Sequence, residues 1–143
     1  MNQRINIKED VINLLIELSK DFYPKQHVCK LIRSNETIHE ISVFTNIGKD
    51  IHKFKSAPWV FFSALSYGPY IEYFAVSPDV IFESDFTGFA LSHTDDSLLP
   101  TANDLKLFAY KGQIHIIIAH PFNNRSWAAY DNNGNEIEIE VIN

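Results

Sequence analysis

The sequence predicts an α+β domain with an α/β/α-like arrangement, in which a single mixed β-sheet is flanked by helices. Apolar residues recur at helical spacing between positions 8 and 21. Runs of alternating or continuous apolar residues, bounded by turn-forming residues, indicate strands along much of the remaining chain. The nearly unbroken apolar run at positions 113–119 has the character of a buried central strand, which places a sheet at the core of the fold.

Size, charge and cysteine content limit the class of the protein. The chain has 143 residues and 45% are hydrophobic, so we expect residues 1–143 to form one domain with a substantial core. The net charge of −6 argues against nucleic acid or an anionic membrane as the main partner. The lone cysteine, Cys29, has no internal disulfide partner and has apolar neighbours, so we expect a buried thiol and a cytoplasmic protein.

The first third of the chain is predicted to form one helix followed by a pair of strands. Acidic residues at the start of the helix and Lys20 near its end suit the helix dipole, and Tyr23-Pro24 ends it. The predicted segments are a helix at 8–21, strands at 27–33 and 37–45, and a loop at 46–57.

Positions 58–76 are the most aromatic part of the chain, and Gly68-Pro69 divides them into two predicted strands. Two interpretations are open for the aromatic side chains. They form either a sheet core with tyrosine hydroxyls at its margin, or an exposed surface for self-association or for a protein partner. The candidate binding residues are Trp59, Phe61, Tyr67 and Tyr70.

The second half of the chain alternates strands with one helix and ends in a predicted hairpin. The turn signal of that hairpin is Asn132-Asn133-Gly134. Glutamates alternate with aliphatic residues at positions 136–141, which predicts one wet and one dry face. The predicted segments are a strand at 89–91 that ends at Ser92-His93, an acidic loop at 94–99, a helix from 100 to about 110, a strand at 113–119 and hairpin strands at 126–130 and 136–142.

His93 and Asp104 are the candidate site residues. A histidine at a strand end, facing an aspartate one turn into the next helix, is the geometry of a metal or acid/base site. A structural interpretation is also open, since Thr101 followed three residues later by Asp104 is a capping-box-like helix start. We expect the side chains of His93 and Asp104 to lie within hydrogen-bond or shared-ligand distance.

The segment from Gly88 to Asp104 also resembles a known signature. It contains Gly88, then Leu91-Ser92-His93-Thr94, a loop, Pro100-Thr101 and Asp104. This order is similar to the signature of the JAMM (MPN-domain, JAB-type) metalloproteases, which is Gly, two residues, His-Ser-His-Pro, a loop and Pro-Ser-x-x-Asp. The resemblance implies a JAMM/MPN-type, cytidine-deaminase-like domain.

The resemblance also implies that the metal site of the family is incomplete in this chain. His93 matches the second histidine ligand and Asp104 matches the aspartate ligand, while Thr101 matches the serine. Leu91 stands where the first histidine ligand belongs, and leucine has no lone pair to give a metal. We therefore expect no stoichiometric zinc, with Leu91 filling the pocket beside His93.

The general base of the family is also replaced. Its glutamate falls at Gln26 or His27, depending on a one-residue ambiguity in register, and glutamine cannot accept a proton at neutral pH. We expect His27 to be a partly exposed side chain at a strand start. Zinc ligation by His27, Asp95 or Asp96 remains the alternative, although a solvated acidic loop is the expectation for the two aspartates.

Two functions follow from the resemblance. The first is a catalytically inactive JAMM/MPN-like domain that acts as a binding or scaffold module without a cofactor. Its expected partner is a protein, such as a ubiquitin-like protein, a paralogous domain or a second copy of the chain. The alternative is a zinc-dependent isopeptidase or peptidase with an altered ligand set, acting on ubiquitin-like or peptide C-termini.

Overall fold

The structure is a computed structural model that describes residues 4–48, 60–67, 70–76 and 82–143; between residues 45 and 81 the only side chain that it describes is that of Phe74. The helices are α1 (Glu9–Phe22) and α2 (Ala102–Tyr110). The strands are β1 (Asn6–Lys8), β2 (Val28–Ser34), β3 (Thr37–Val43), β4 (Thr45–Gly48), β5 (Val60–Tyr67), β6 (Tyr70–Val76), β7 (Phe86–His93), β8 (His115–Ala119), β9 (Trp127–Tyr130), β10 (Glu136–Ile137) and β11 (Glu140–Ile142).

Most of the strands form one mixed sheet of eight, in the order β10-β9-β8-β7-β2-β3-β1-β11. At its centre β7 pairs antiparallel with β2 and parallel with β8. The aromatic segment instead forms a separate three-stranded antiparallel sheet, in the order β4-β6-β5. The predicted fold class, a mixed sheet flanked by helices, is confirmed, and the smaller sheet is an addition to it.

The two helices lie against opposite faces of the large sheet. Helix α1 buries Val11, Ile12, Leu15 and Ile16 against one face, where Cys29 and Ala90 point. Helix α2 buries Leu107 and Phe108 against the other face, where Val28, Phe89 and Leu91 point. Because successive side chains of a strand point to opposite faces, β2 and β7 contribute to both cores.

Strand β7 is buried along its whole length, and Gly88 allows its close packing. A Cβ atom at Gly88 would lie 1.7 Å from the carbonyl oxygen of Ile114. Any side chain at this position would therefore force the segment before β8 away from β7.

The C-terminal segment differs from the predicted hairpin. Strands β9 and β10 pair antiparallel as predicted, but β11 leaves them and pairs in parallel with β1 at the opposite edge of the sheet. The sequence does not predict β1, because three residues carry no detectable period and their pairing is entirely long-range. The prediction that the aliphatic face of this segment is buried is also wrong at Val141, which is 41% exposed on this edge strand.

The boundary after β3 also differs from the prediction. The predicted strand at 37–45 ends at Val43, and Thr45 begins β4 in the smaller sheet. Between them the amide of Phe44 donates to the carbonyl oxygen of Val28, and its side chain is buried in the α2-side core. Residues 46–48, predicted as a loop, are therefore part of a strand, while the rest of that predicted loop lies outside the described residues. In the part of the chain that the structure describes, no helix is long and apolar enough to cross a membrane.

Candidate functional site

The site lies where β7 ends and α2 begins. His93 is the last residue of β7, and its side chain points to the α2 side of the sheet, as does that of Leu91 two residues earlier. Asp104 lies in the first turn of α2 and is fully buried. His93 Nε2 lies 2.7 Å from Asp104 Oδ2, so the two predicted site residues are in direct contact.

Asp104 also caps its own helix. Its backbone amide donates to Thr101 Oγ1, and its Oδ2 atom accepts from the Thr101 amide at 2.8 Å. This reciprocal pair is a capping box, as the structural interpretation predicts. The structure therefore unites the two interpretations of Asp104, because the same carboxylate oxygen caps α2 and contacts His93.

Both ring nitrogens of His93 are engaged by acceptors. Nδ1 lies 2.7 Å from the carbonyl oxygen of Ser97, and a carbonyl can only accept, so Nδ1 carries a proton. Burial alone would lower the pKa of His93, but the hydrogen bond and the charge of Asp104, with smaller contributions from Ser97 and Asp95, leave it raised. A protonated ring facing the Asp104 carboxylate, a buried ion pair, satisfies both contacts.

Leu91 is fully buried and belongs to the α2-side core together with Val28, Leu107, Phe108 and Ile117. By alternation it shares the sheet face of His93, two residues further along β7. The position that the resemblance matches to the first histidine ligand therefore holds a packed aliphatic side chain. Such a side chain supplies no donor and excludes water from its surroundings.

Gln26 is buried beside the same strand end. Its amide nitrogen donates to the carbonyl oxygen of Ser92, and Ser92 lies directly before His93. Its Oε1 atom makes no hydrogen bond to any described residue. The structure thus places Gln26, and not the side chain of His27, on the site side of the strand pair.

His27 points to the α1 side, and the expectation that it is partly exposed is wrong, since its exposure is only 1%. The Ser19 hydroxyl donates to the Leu15 carbonyl, so at 2.8 Å it accepts a hydrogen bond from His27 Nε2. His27 Nδ1 lies 3.3 Å from Cys29 Sγ and accepts from the thiol. Burial lowers the pKa of His27 to about 4 and raises that of Cys29 to about 12, so both groups are neutral.

The acidic loop does not complete a set of metal ligands. Asp95 and Asp96 are exposed, and Asp95 Oδ1 accepts from the Ser97 amide. Among the residues that the structure describes, no group of three or more His, Cys, Asp or Glu side chains could hold a metal ion. Catalytic zinc requires three protein ligands and one open position.

The donor atoms at the site match only part of what a zinc ion requires. Asp104 Oδ1 is buried and makes no hydrogen bond to a described residue, so one oxygen is free to ligate. His93 Nε2 and Asp104 Oδ2, however, are 2.7 Å apart and share a proton, whereas two ligands of tetrahedral zinc lie about 3.3 Å apart. With Leu91 in the third position, the described residues do not fit the zinc site of the signature.

Sequence reasoning missed the contacts that hold the acidic loop. Tyr130 OH donates to the carbonyl oxygen of Leu98, and burial, followed by the charges of Glu136 and Asp104, raises the pKa of this phenol. The carbonyls of Ser97 and Leu98 are thus bound by two side chains from β7 and β9. No local sequence pattern predicts which backbone carbonyls accept hydrogen bonds from side chains elsewhere in the fold.

The predicted aromatic binding residues fall where the structure describes little. Trp59 lies outside the described residues, and Phe61, Tyr67 and Tyr70 lie in β5 and β6, of which only the backbone is described at these positions. The aromatic surface therefore stays a prediction.

Comparison with known proteins finds similarity in sequence and in fold. No protein-family model matches the chain. A protein of Haloferax volcanii called a probable metalloprotease is 25% identical over 140 residues, covering 96% of this chain and 80% of that protein. The fold is similar to that of a JAB1/MPN domain protein from Archaeoglobus fulgidus, with a TM-score of 0.67, 23% identity and coverage of 97% of this chain and 100% of the other. It is also similar to a structure described as JAMM, a metalloprotease-like zinc site in the proteasome and signalosome, with a TM-score of 0.68, 21% identity and coverage of 98% and 99%.

Proposed function

We propose that the chain is a catalytically inactive member of the JAMM/MPN-domain family that acts as a protein-binding or scaffold module, which its similarity to a probable metalloprotease and to JAB1/MPN and JAMM structures supports. The observation that carries the proposal is Leu91, a fully buried aliphatic residue at the position of a metal ligand. A leucine packed into the core at this position leaves two of the three ligands that catalytic zinc requires.

The state of the two remaining ligands supports the same proposal. His93 and Asp104 bind each other, and His93 Nδ1 binds Ser97. In this arrangement both ring nitrogens face acceptors, so a metal would have to displace the proton that His93 shares with Asp104. A proton between His93 and Asp104 joins the end of β7 to the start of α2, as a shared metal ion would.

The position of the general base gives a second, independent argument. Gln26 is held by its hydrogen bond to Ser92 at the site, where the family carries a glutamate. A glutamine amide does not take a proton from water at neutral pH. Restoring a metal alone would therefore not restore hydrolysis.

A zinc-dependent isopeptidase or peptidase with an altered ligand set is the second candidate. The name of the Haloferax volcanii relative favours it, as do the free buried oxygens Asp104 Oδ1 and Gln26 Oε1. Under this candidate, Asp95, Asp96 or His27 would complete the ligand set beside His93 and Asp104. A cytoplasmic location and a protein partner are further parts of the proposal.

Zinc content separates the two candidates. We expect protein purified without chelator to contain far less than one zinc per chain by mass spectrometry, and to leave isopeptide-linked ubiquitin-like substrates intact. Stoichiometric zinc in the wild-type protein, or hydrolysis that a chelator abolishes, would establish the second candidate and overturn the first.

A restored variant tests the cause of inactivity. We expect Leu91→His with Gln26→Glu to raise zinc affinity by more than about tenfold, since even outer contacts change metal affinity by 10–100-fold. The matched control is Leu14→His with Gln113→Glu, which adds the same residue types at exposed positions. If the folded double variant binds zinc no better than this control, the loss of the site does not lie at Leu91 and Gln26.

A further inference from the structure

The loop between β7 and α2 presents one apolar side chain to solvent. Leu99 is 74% exposed, more than any other large hydrophobic residue that the structure describes. Asp95 and Asp96, in the same loop, are exposed as well. A single exposed leucine is ordinary on a protein surface, so exposure by itself assigns no role to this loop.

The second observation is that the loop backbone is held from several directions. His93 Nδ1 donates to the Ser97 carbonyl at 2.7 Å, and Tyr130 OH donates to the Leu98 carbonyl. The amide of His120 donates to the Asp95 carbonyl at 2.9 Å. The side chain of Leu98 packs inward against the α2-side core, so Leu99, the next residue, points away from it.

Contacts inside the loop add to this. The Asp95 carboxylate accepts from the Ser97 amide at 3.1 Å, and the Ser97 hydroxyl accepts from the Leu99 amide at 3.2 Å. Immediately after the loop, the capping box of Thr101 and Asp104 fixes the start of α2. The loop is therefore bound at its beginning, middle and end while its Leu99 side chain stays in water.

We propose that residues 95–99 form a preorganised docking loop, which places Leu99 in an apolar pocket of a partner protein whose rim carries lysine or arginine side chains. A loop that is ordered before binding loses little conformational entropy on association, so its one apolar anchor contributes most of its burial to affinity. The rim is expected to be basic because the exposed carboxylates of Asp95 and Asp96 are best complemented by positive charges on the partner.

The proposal gives the residues of the incomplete metal site a use, and it rests on the proposed function of a non-catalytic binding module. His93 and Asp104 are positioning residues here, because they hold the loop without touching the partner. A heterologous partner fits better than a second copy, since the chain has a net charge of −6 and two such loops would bring like charges together.

A photo-crosslinking experiment identifies the partner. The full chain carries p-benzoylphenylalanine at position 99, and a matched control carries it at position 14, where Leu14 is 48% exposed on α1. In an extract of the source cells we expect a crosslinked protein at position 99 that is absent at position 14. Equal crosslinking at both positions, none at position 99, or a crosslink to a second copy of the chain overturns the proposal.

The purified crosslinked protein is then titrated by calorimetry with matched variants. We expect Leu99→Ala to weaken binding by about tenfold or more, as for an interface hot spot, and Leu14→Ala to leave it unchanged. Asp95→Asn with Asp96→Asn is expected to weaken binding and to reduce its salt dependence. Affinity that survives Leu99→Ala overturns the proposal even if the partner is genuine.

Tyr130→Phe tests whether the loop must be held. The variant keeps Leu99 and removes only the hydroxyl that binds the Leu98 carbonyl. We expect faster hydrogen exchange at the Leu99 amide and weaker partner binding, with Leu99 unaltered. Unchanged binding despite faster exchange contradicts preorganisation. These results do not depend on zinc content or hydrolysis, so the docking loop and the proposed loss of catalysis fail separately.

Discussion

His27 and His93 are two buried histidines at the same end of the β2–β7 strand pair, on opposite faces of the sheet. On the α1 side, the ring nitrogens of His27 lie against two neutral groups, the Ser19 hydroxyl and the Cys29 thiol, and burial lowers the pKa of His27 to about 4. On the α2 side, His93 contacts a carboxylate, and its pKa is raised despite burial.

The comparison shows that the partner decides the charge of a buried histidine. Burial disfavours the protonated form of both rings, but only His93 has an adjacent anion that outweighs this cost. The α2-side histidine therefore takes part in an ion pair, whereas the α1-side histidine takes part in a chain of neutral hydrogen bonds.

The largest effect is expected from removing the anion on the α2 side. Asp104→Ala deletes the partner of buried His93 and the capping box together, and breaking a buried ion pair costs about 4 kcal/mol. Urea unfolding at pH 6 measures the free energy of unfolding. Asp96→Ala, at an exposed position of the adjacent loop, is the control and is expected to stay within about 0.5 kcal/mol. Similar small losses in both variants would show that the pair does not stabilise the fold.

The pH dependence of the same pair has a definite sign. The folded pKa of His93 lies above its unfolded value of 6.5, so its stabilisation is complete below pH 6.5 and is lost as pH rises through the folded pKa. We expect the difference in unfolding free energy between wild type and Asp104→Ala to narrow on the alkaline side. A difference that widens there would mean that His93 is neutral in the folded protein.

On the α1 side the sign is reversed. The folded pKa of His27 is about 4 against 6.5 unfolded, so the protein loses stability as pH falls between those values. A shift of this size corresponds to about 3 kcal/mol, and acid titration of the unfolding free energy measures it. His27→Gln should flatten the profile in this range, while His39→Gln, at an exposed position, should not change it. Parallel acid profiles for wild type and His27→Gln would contradict the neutral state of the ring.

The smallest of these effects is expected from the hydroxyl that connects His27 to α1. Ser19→Ala leaves His27 Nε2 without its acceptor in a dry site, which costs about 2 kcal/mol. Thermal and urea unfolding at pH 7 measure the loss, and Ser42→Ala on exposed β3 is the control. If the two serine variants are equally stable, His27 finds another acceptor. The hydrogen bond between His27 and Ser19 then contributes less to stability than the geometry indicates.

Local patterns in the sequence were sufficient for several features. The capping box at Thr101 and Asp104 follows from a three-residue spacing, and the β9–β10 turn follows from Asn132-Asn133-Gly134, with Gly134 at a φ of 82°. The contact of His93 with Asp104 could also be predicted, because both residues lie close to one short connection between β7 and α2. Their role as remnant metal ligands stays a prediction.

Other features depend on partners that are distant in sequence. His27 is buried because Ser19 of α1 packs against its ring, and no sequence pattern around position 27 predicts that contact. The pairing of β11 with β1 joins the two ends of the chain. The hydrogen bond from Tyr130 to the Leu98 carbonyl spans 32 residues and uses a backbone acceptor that every residue possesses.

Residue types and short-range spacing were enough to predict the fold class, the cap of α2, the buried Cys29 and the lack of a histidine at position 91. Long-range packing was needed to establish which face each polar side chain occupies, that Gln26 and not His27 borders the site, and that His93 binds Ser97 as well as Asp104. Strand alternation divides the side chains between two faces, but it does not tell which helix covers each face. The packing of the helices identifies the faces, because α1 places Ser19 beside His27 on one face and α2 places Asp104 beside His93 on the other.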